Sequence, residues 1–430
     1  MELQKLYRLF LNATGVSTDT RTLEKGNLFF ALSGENFDGN RFALQAIEKG
    51  AIAAVVDHPE AVPFRGDRII AVENSLKTLQ KLAKHHRQQF DIPVLAITGT
   101  NGKTTTKTLC AAVLSTQKNI CATEGNLNNH IGVPLTLLRI NHQTEIAVIE
   151  MGANHPGEIA ALCRLAEPTH GLITNIGKAH LEGFGNFQGV VNTKNELYQS
   201  VKQRGGTVFV HKDNPLLMQL SEGIHRLTYG TPPADVAGRL KPGGPFLKIE
   251  WIENQSRLEI ATHLYGSYNF SNVMAAVATG RFFGIEKSSI AEAISRYVPR
   301  NNRSQYMKTG NNTIILDAYN ANPESMALAI EDFVRQAFPR PILILGDMFE
   351  LGQQASEEHH KIVELLHQKE LEEVILVGKV FYETHVKRPY KKLKTTAGAA
   401  QYLKEHPVKG AHILVKGSRG MQLEKLIQYL

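Results

Sequence analysis

Cysteine is scarce in this chain of 430 residues: only Cys110, Cys121 and Cys163, an odd number with no CxxC spacing. That argues against a disulfide framework and points to a reduced cytoplasm. Long apolar runs are also missing, and none approaches the roughly 18–20 residues that cross a bilayer. The opening segment, residues 1–11, carries Glu2 and Arg8 among its apolar side chains and has no signal-peptide core. Blocks of one charge are absent as well. The formal charge of +7 comes from 48 basic and 41 acidic residues that are interspersed. Such a surface favours acidic small molecules such as nucleotides, and it lacks the dense Lys/Arg runs of a nucleic-acid binder. No internal repeat or low-complexity tract is present. The expectation is a cytoplasmic protein without membrane insertion, too long for one core and built of two to four domains.

What is present centres on Ile97-Thr98-Gly99-Thr100-Asn101-Gly102-Lys103-Thr104-Thr105. The apolar run Ile92-Pro93-Val94-Leu95-Ala96 before it predicts a buried strand, and 106–114 after it predicts a helix with an apolar stripe. A strand, a glycine turn and a helix opening on Lys-Thr-Thr form a phosphate cradle. The glycines let backbone N–H groups approach an anion, and the helix N-terminus adds partial positive charge. Lys103 is spaced to reach the terminal phosphates of a nucleoside triphosphate, and the Thr104 hydroxyl to ligate Mg²⁺. Ile97 replaces the early glycine of the general phosphate loop, leaving the shortened form Gly99-x-x-Gly102-Lys103-Thr104. An ordinary glycine turn is the plain alternative, and Gly, Lys and two Thr together weigh against it.

Taken in order, residues 1–90 predict a small α/β unit. Strands are expected over 27–32 and 53–56, and helices over 42–49 and 75–90. Two turn-rich stretches, Ser17-Thr18-Asp19-Thr20-Arg21 and Gly34-Glu35-Asn36-Phe37-Asp38-Gly39-Asn40, suit a pyrimidine nucleotide or diphosphate; each alone is more often a plain loop. Asp91-Ile92-Pro93 marks a boundary. A central domain, 91–298, then alternates strands and helices. The strand 145–150 ends on Glu150, and the strand 170–176 leads into Gly177-Lys178-Ala179-His180. Ligands of a doubly wound sheet bind beyond the carboxyl ends of its strands, so Glu150 and His180 are expected to converge on the phosphate loop and hold a divalent metal. The amide-dense loop 126–134, with Asn126 and Asn128, either binds a polar substrate or satisfies its own backbone. Lys194 opens a helix after the 183–189 loop and by itself reads as a surface lysine. Asn269 and Asn272, three apart, share a helix-end face where amides can read an adenine edge. From 299 the composition resets, and 299–430 predicts a Rossmann-like α/β domain with helices at 323–336, 356–368 and 421–430.

These motifs resemble those of the Mur ligases over essentially the whole chain. The stretch 97–105 is similar to that family's ATP loop. Glu150-Met151-Gly152 and Asn175-Ile176-Gly177-Lys178-Ala179-His180-Leu181-Glu182 are similar to its metal-side motifs. Four further stretches resemble the branch that adds a dipeptide. They are 28–34 with Phe37-Asp38-Gly39, Asp317-Ala318-Tyr319-Asn320-Ala321-Asn322-Pro323, Leu345-Gly346-Asp347-Met348 with Glu350-Leu351-Gly352, and Lys416-Gly417-Ser418-Arg419-Gly420-Met421.

The resemblance implies three α/β domains: a small N-terminal UDP-binding domain, a central P-loop-type ATPase domain with a mostly parallel sheet, and a C-terminal Rossmann-like domain. It implies a monomeric ATP-dependent peptide ligase of peptidoglycan precursor synthesis, joining D-alanyl-D-alanine to UDP-N-acetylmuramoyl-tripeptide through an acyl phosphate. By the same resemblance, Asp19, Thr20, Arg21, Asn36, Phe37 and Asp38 hold the UDP end. ATP lies against 98–105, Asn269 and Asn272, with Arg303 at the phosphates and Asp317 and Tyr319 near the nucleoside. Asn126, Asn128, Asn320 and Asn322 are expected at the other substrates. Ser418-Arg419 follow a strand and precede a helix, and from that placement are expected to bind the dipeptide carboxylate through charge and N–H donors. Lys194 matches a lysine that is carbamylated. The change has a physical purpose, because an ammonium repels Mg²⁺ and a carbamate offers it oxygens. Two Mg²⁺ ions are then implied, one on Thr104 and Glu150, the other on His180 and the carbamate. Tyr268 stands where many members have His, and Asn302-Arg303-Ser304 replaces the commoner Gly-Arg-Leu/Met. His359 matches a family histidine, but a helix histidine is usually structural. The rival readings are a sister Mur ligase, a folylpolyglutamate synthetase and an ATP-binding scaffold with a dead site.

Overall fold

The computed structural model describes residues 3–34, 37–62, 66–254, 256–300 and 302–430. Asn36, one of the expected UDP contacts, lies outside them. Among the described residues no helix is long and apolar enough to cross a membrane. The chain folds into three successive α/β units, each around its own main sheet.

The first sheet is wholly parallel, with strands 15–17, 27–30, 53–56 and 69–71 side by side. Strand Asn27–Phe30 is buried at every position, as a sheet covered on both faces requires. Helix Ser75–Arg87, capped by Asn74, presents Leu79, Leu82 and Ala83 to a core that runs on into the central unit. Arg87 fastens this junction: its buried guanidinium donates to the carbonyls of Ala166 (3.0 Å), Phe90 (2.6 Å) and Ile92 (3.3 Å).

The central sheet has nine strands in the order 256–265, 246–253, 236–241, 225–230, 207–211, 170–173, 94–98, 146–150, 120–122. The phosphate-loop strand Val94–Thr98 lies between two later strands, with Ile97 opposite Glu150 and Thr98 opposite Ile173. That alignment puts the loops after all three strands at one sheet edge, a topological switch point. The expected alternation of strand and helix fails over 236–265. There the chain forms an antiparallel meander, Val236–Lys241, Phe246–Glu253 and Ser256–Tyr265, that extends the sheet. Its alternating exposure along Ser256–Tyr265 is that of a half-solvated sheet.

The third sheet runs 305–308, 313–317, 412–416, 341–346, 374–377, 391–393, parallel except at its first strand. Helix Pro323–Arg335 starts on a capping box formed by Asn322 and Ser325 and buries Met326, Ile330 and Phe333. The chain end differs from expectation. It is not one α-helix over 421–430 but two 3₁₀ segments, Arg419–Met421 and Leu423–Tyr429, broken at Gln422 with φ +54°. The reason is packing: Leu423, Leu426 and Leu430 enter the core under the sheet at spacings of three and four.

Candidate active site

Strand Val94–Thr98 runs into a loop whose turn requires glycine. Gly99 and Gly102 take φ of +141° and +77°, and Gly102 caps helix Lys103–Leu114. A Cβ on Gly99 would lie 2.0 Å from Thr174 Oγ1, and one on Gly102 2.5 Å from Asn272 Oδ1. The neighbouring strand's exit braces the loop. Asn175 accepts from Thr100 N (2.9 Å) and from Asn101 N (2.9 Å), and Thr174 donates to Asn101 O (2.6 Å). The Thr98 hydroxyl donates to Met151 O at 2.8 Å. The Thr98 side chain and the N–H groups of Thr100 and Asn101, expected at the nucleotide, are therefore spent inside the loop. The first-turn N–H groups of Lys103, Thr104 and Thr105 remain for an anion. Gly99→Ala is expected to destabilise the protein by about 2–4 kcal/mol through backbone strain and the Thr174 clash, read by denaturant unfolding.

Charge gathers at this edge. Lys103 is half-buried and donates to Gly99 O (2.6 Å) and Thr100 O (2.9 Å); desolvation lowers its pKa to about 8. Glu150, 1 % exposed, accepts from Thr104 Oγ1 (3.0 Å) and Asn128 Nδ2 (2.7 Å) through Oε1. Its buried Oε2 has no hydrogen-bond partner among the described residues. A hydroxyl beside a carboxylate oxygen with nothing else to bind fits an oxygen-seeking Mg²⁺.

Lys194 corrects the sequence reading twice. It lies in the interior of helix Phe187–Gln203, not at its start, and is 2 % exposed rather than on the surface. Its Nζ sits 3.5 Å from Ala153 O and 5.5 Å from the centre of the Phe184 ring. Burial, reinforced by the charge of Lys103, brings its pKa down to about 7. His180, at φ +51°, pairs through Nδ1 with the Glu350 carboxylate of the third domain.

The third domain closes over the loop at the same place. Asn322 Nδ2 donates to Asn101 Oδ1 (2.6 Å), and Asn101 Nδ2 to Glu324 Oε2 (3.2 Å). Gly177 leaves room for this carboxylate: a Cβ there would lie 1.8 Å from Glu324 Oε2 and push the Glu324 side chain aside. Asp317 accepts from the buried Lys416 (2.5 Å) and from Ser304 N (3.1 Å), and Asn320 caps its own turn at Ala321 N (2.9 Å). The amides of Asn269 and Asn272 bond each other (2.8 Å), and Asn272 also accepts from Thr106 (3.0 Å), bracing the phosphate-loop helix. Lys103, Asn128, His180, Asn269, Asn272, Arg303, Asp317 and Tyr319 all line one cavity of about 1300 Å³ that reaches all three domains.

Other expected residues lie apart from that cavity. Asp19 and Arg21 pair with each other on the surface (2.6 Å), which pulls the Asp19 carboxyl down to about 2, and Thr20 bonds Gln45 (2.9 Å). Phe37 stacks on Phe42, and Asp38 caps the turn at Asn40. Asn126 is exposed in its loop. Ser418 accepts from Phe349 N (2.9 Å). His359 is fully buried; its Nε2 accepts from Met348 N (3.0 Å) and its Nδ1 bonds Ala355 O (2.7 Å), the structural role expected of it. Sequence reasoning missed Glu324, Asn175 and Lys416 as site residues. Asn175 had a signal, its place at the exit of the strand beside the phosphate loop.

Fold and site together define a three-domain phosphate-loop α/β protein whose third domain meets the loop and whose three domains share the cavity beside it. The chain matches the Mur ligase family, catalytic domain, over 12–87, the Mur ligase middle domain over 97–280 and the Mur ligase, glutamate ligase domain over 302–419. It is 38 % identical to UDP-N-acetylmuramoyl-tripeptide–D-alanyl-D-alanine ligase of Bacillus subtilis, covering 97 % of this chain and 93 % of that one. A crystal structure of MurF from Acinetobacter baumannii superposes with a TM-score of 0.87 at 28 % identity, covering 99 % and 97 % of the two chains. MurF ligase from Thermotoga maritima in complex with ADP gives 0.84 at 27 % identity, covering 98 % and 97 %. This chain belongs to the Mur ligase family.

Proposed function

We propose that this protein uses ATP to join D-alanyl-D-alanine to UDP-N-acetylmuramoyl-tripeptide, giving the pentapeptide nucleotide, ADP and phosphate. The observation that carries the reading is near-full-length similarity to ligases of that name, together with Lys103 and Arg303 on one cavity and the Thr104–Glu150 pair at the phosphate loop. Residues 1–90 take the UDP end, 91–298 bind ATP, and 299–430 close on it and bring the dipeptide.

The tripeptide's terminal carboxylate attacks the γ-phosphorus of ATP, and the bond to the β–γ bridging oxygen breaks, releasing ADP. Lys103 and the first-turn N–H groups neutralise and orient the phosphates, and Arg303 faces them from the third domain. The dipeptide's neutral amine then attacks the acyl carbon, the C–O bond to phosphate breaks, and the amine's proton leaves to solvent. Mg²⁺, when bound at Thr104 and Glu150, would supply positive charge to the transferring phosphoryl group. The Lys194 pKa of about 7 leaves much of the amine neutral at physiological pH, the form that captures CO₂; a carbamate there, with His180, would complete the second ion's ligands. Arg419 holds the dipeptide carboxylate. The seam contacts of Asn322 and Glu324 exclude water, which would otherwise hydrolyse the acyl phosphate.

Phosphate release is the test. Release that needs ATP, the tripeptide nucleotide and D-alanyl-D-alanine together is the expected result. Release with a single amino acid would move the protein to a sister branch. ATP binding without release for any acceptor would leave only a scaffold.

A further inference from the structure

We propose that Tyr319 is a positioning residue that sets two arginines at once, Arg303 on the phosphate side and Arg419 on the acceptor side. The inference rests on the ligase reading above and adds a coupling between its two half-sites. The Arg303 guanidinium carbon lies 3.5 Å from the centre of the Tyr319 ring, and that of Arg419 lies 4.8 Å from it. The two arginines come from opposite ends of the third domain's chain. One precedes its first strand, Gln305–Lys308, and the other follows its last, His412–Lys416.

Two guanidiniums gathered at one ring repel each other, and the ring's negative face offsets part of that repulsion. The backbone is bent to bring Arg303 there: Asn302 and Ser304, on either side of it, have φ of +59° and +47°. Non-glycine residues avoid this region, and such bends persist where the surroundings over-determine them. Three contacts do so here. Tyr319 N donates to Asn302 O (3.2 Å), Ser304 N donates to Asp317 Oδ1 (3.1 Å), and the Ser304 hydroxyl bonds Tyr268 OH (2.8 Å). Asp317 also sits opposite Lys416 in the sheet and pairs with it at 2.5 Å, two residues before Ser418. One pair of adjacent strand ends therefore carries both arginine loops, and one ring spans them. An anion that draws one guanidinium away changes the ring's hold on the other. Filling the acceptor site and filling the phosphate site are thereby linked.

Steady-state kinetics with ATP, UDP-N-acetylmuramoyl-tripeptide and D-alanyl-D-alanine test this. Tyr319→Leu is expected to raise the KM for ATP and for the dipeptide each by about tenfold, the scale of one partly desolvated cation–π contact. The KM for the tripeptide nucleotide, held by the distant first domain, should stay within about twofold. Tyr319→Phe, which keeps the ring, should restore both raised constants to within about threefold of the parent. A Tyr319→Leu enzyme that shifts one of the two constants alone, or all three alike, overturns the proposal. A second measurement leaves the ring intact and decides the matter should Tyr319→Leu fail to fold. In the Arg303→Lys and Arg419→Lys cycle, the combined effect on dipeptide KM should fall short of the product of the single effects; simple multiplication would reject the coupling. A parent protein that turns over none of these substrates rejects the ligase reading itself. An active parent indistinguishable from Tyr319→Leu rejects only the role of Tyr319.

Discussion

Lys103→Met is expected to lower kcat by about a thousandfold, the scale on which a preorganised charge aimed at a transition state acts in a water-poor site. The lysine is half-buried at the mouth of the phosphate loop, with Glu150 and Arg303 near enough to influence its charge. Its ammonium is held by two loop carbonyls, Gly99 O and Thr100 O. Methionine keeps the stem's volume and removes the charge, so the loop should fold at a cost of about 1–3 kcal/mol for the carbonyls left behind. ADP formation in single turnover, set beside an unfolding curve, separates the two effects. Retention of a tenth of the parent rate would exclude Lys103 from the phosphoryl step.

The second large effect falls on Lys194. Lys194→Ala is expected to cost about a thousandfold in kcat, because the site loses the oxygens a carbamate would bring to a cation. Lys194→Arg should be no better, since a guanidinium keeps its positive charge and does not take up CO₂. A small carboxylate such as acetate should restore part of the activity of Lys194→Ala, and depleting CO₂ and bicarbonate should slow the parent. An active Lys194→Arg enzyme would show that the position needs a cation, and would end the carbamate reading. The pH profile follows with opposite signs. Lys194, with a pKa of about 7, becomes neutral and reactive toward CO₂ as pH rises through that value. Lys103, at about 8, loses the charge that serves the phosphates as pH rises further. The free enzyme's kcat/KM should therefore be bell-shaped, rising through about 7 and falling through about 8. Bound phosphates stabilise the ammonium, so the falling limb of kcat should lie higher than that of kcat/KM.

Much of this site was legible in one dimension because its parts are local. The strand, the turn glycines and Lys103 occupy one run of residues, and the left-handed φ at Gly99 and Gly102 is what glycine at those positions foretells. The meander over 236–265 was not legible, because an antiparallel extension of a parallel sheet depends on which edge is open. The 3₁₀ ending was missed because a spacing of three and four suits an α-helix equally well.

The sequence by itself determined the phosphate cradle, the order of the three α/β units and the family resemblance, since each rests on residue types at short fixed spacings. Only the tertiary structure decided what the individual polar groups do. It spent the loop's own N–H groups on Asn175, turned His180 to Glu350, and closed Asn322 and Glu324 over Asn101. It sank Lys194 into a helix interior, where desolvation makes an apparently ordinary lysine chemically distinct. It also brought Arg303 and Arg419, more than a hundred positions apart in the chain, to one tyrosine ring. The physical reason is the same each time: hydrogen-bond partners and burial are set by which segments meet across the sheet edge, and spacing along the chain does not carry that information.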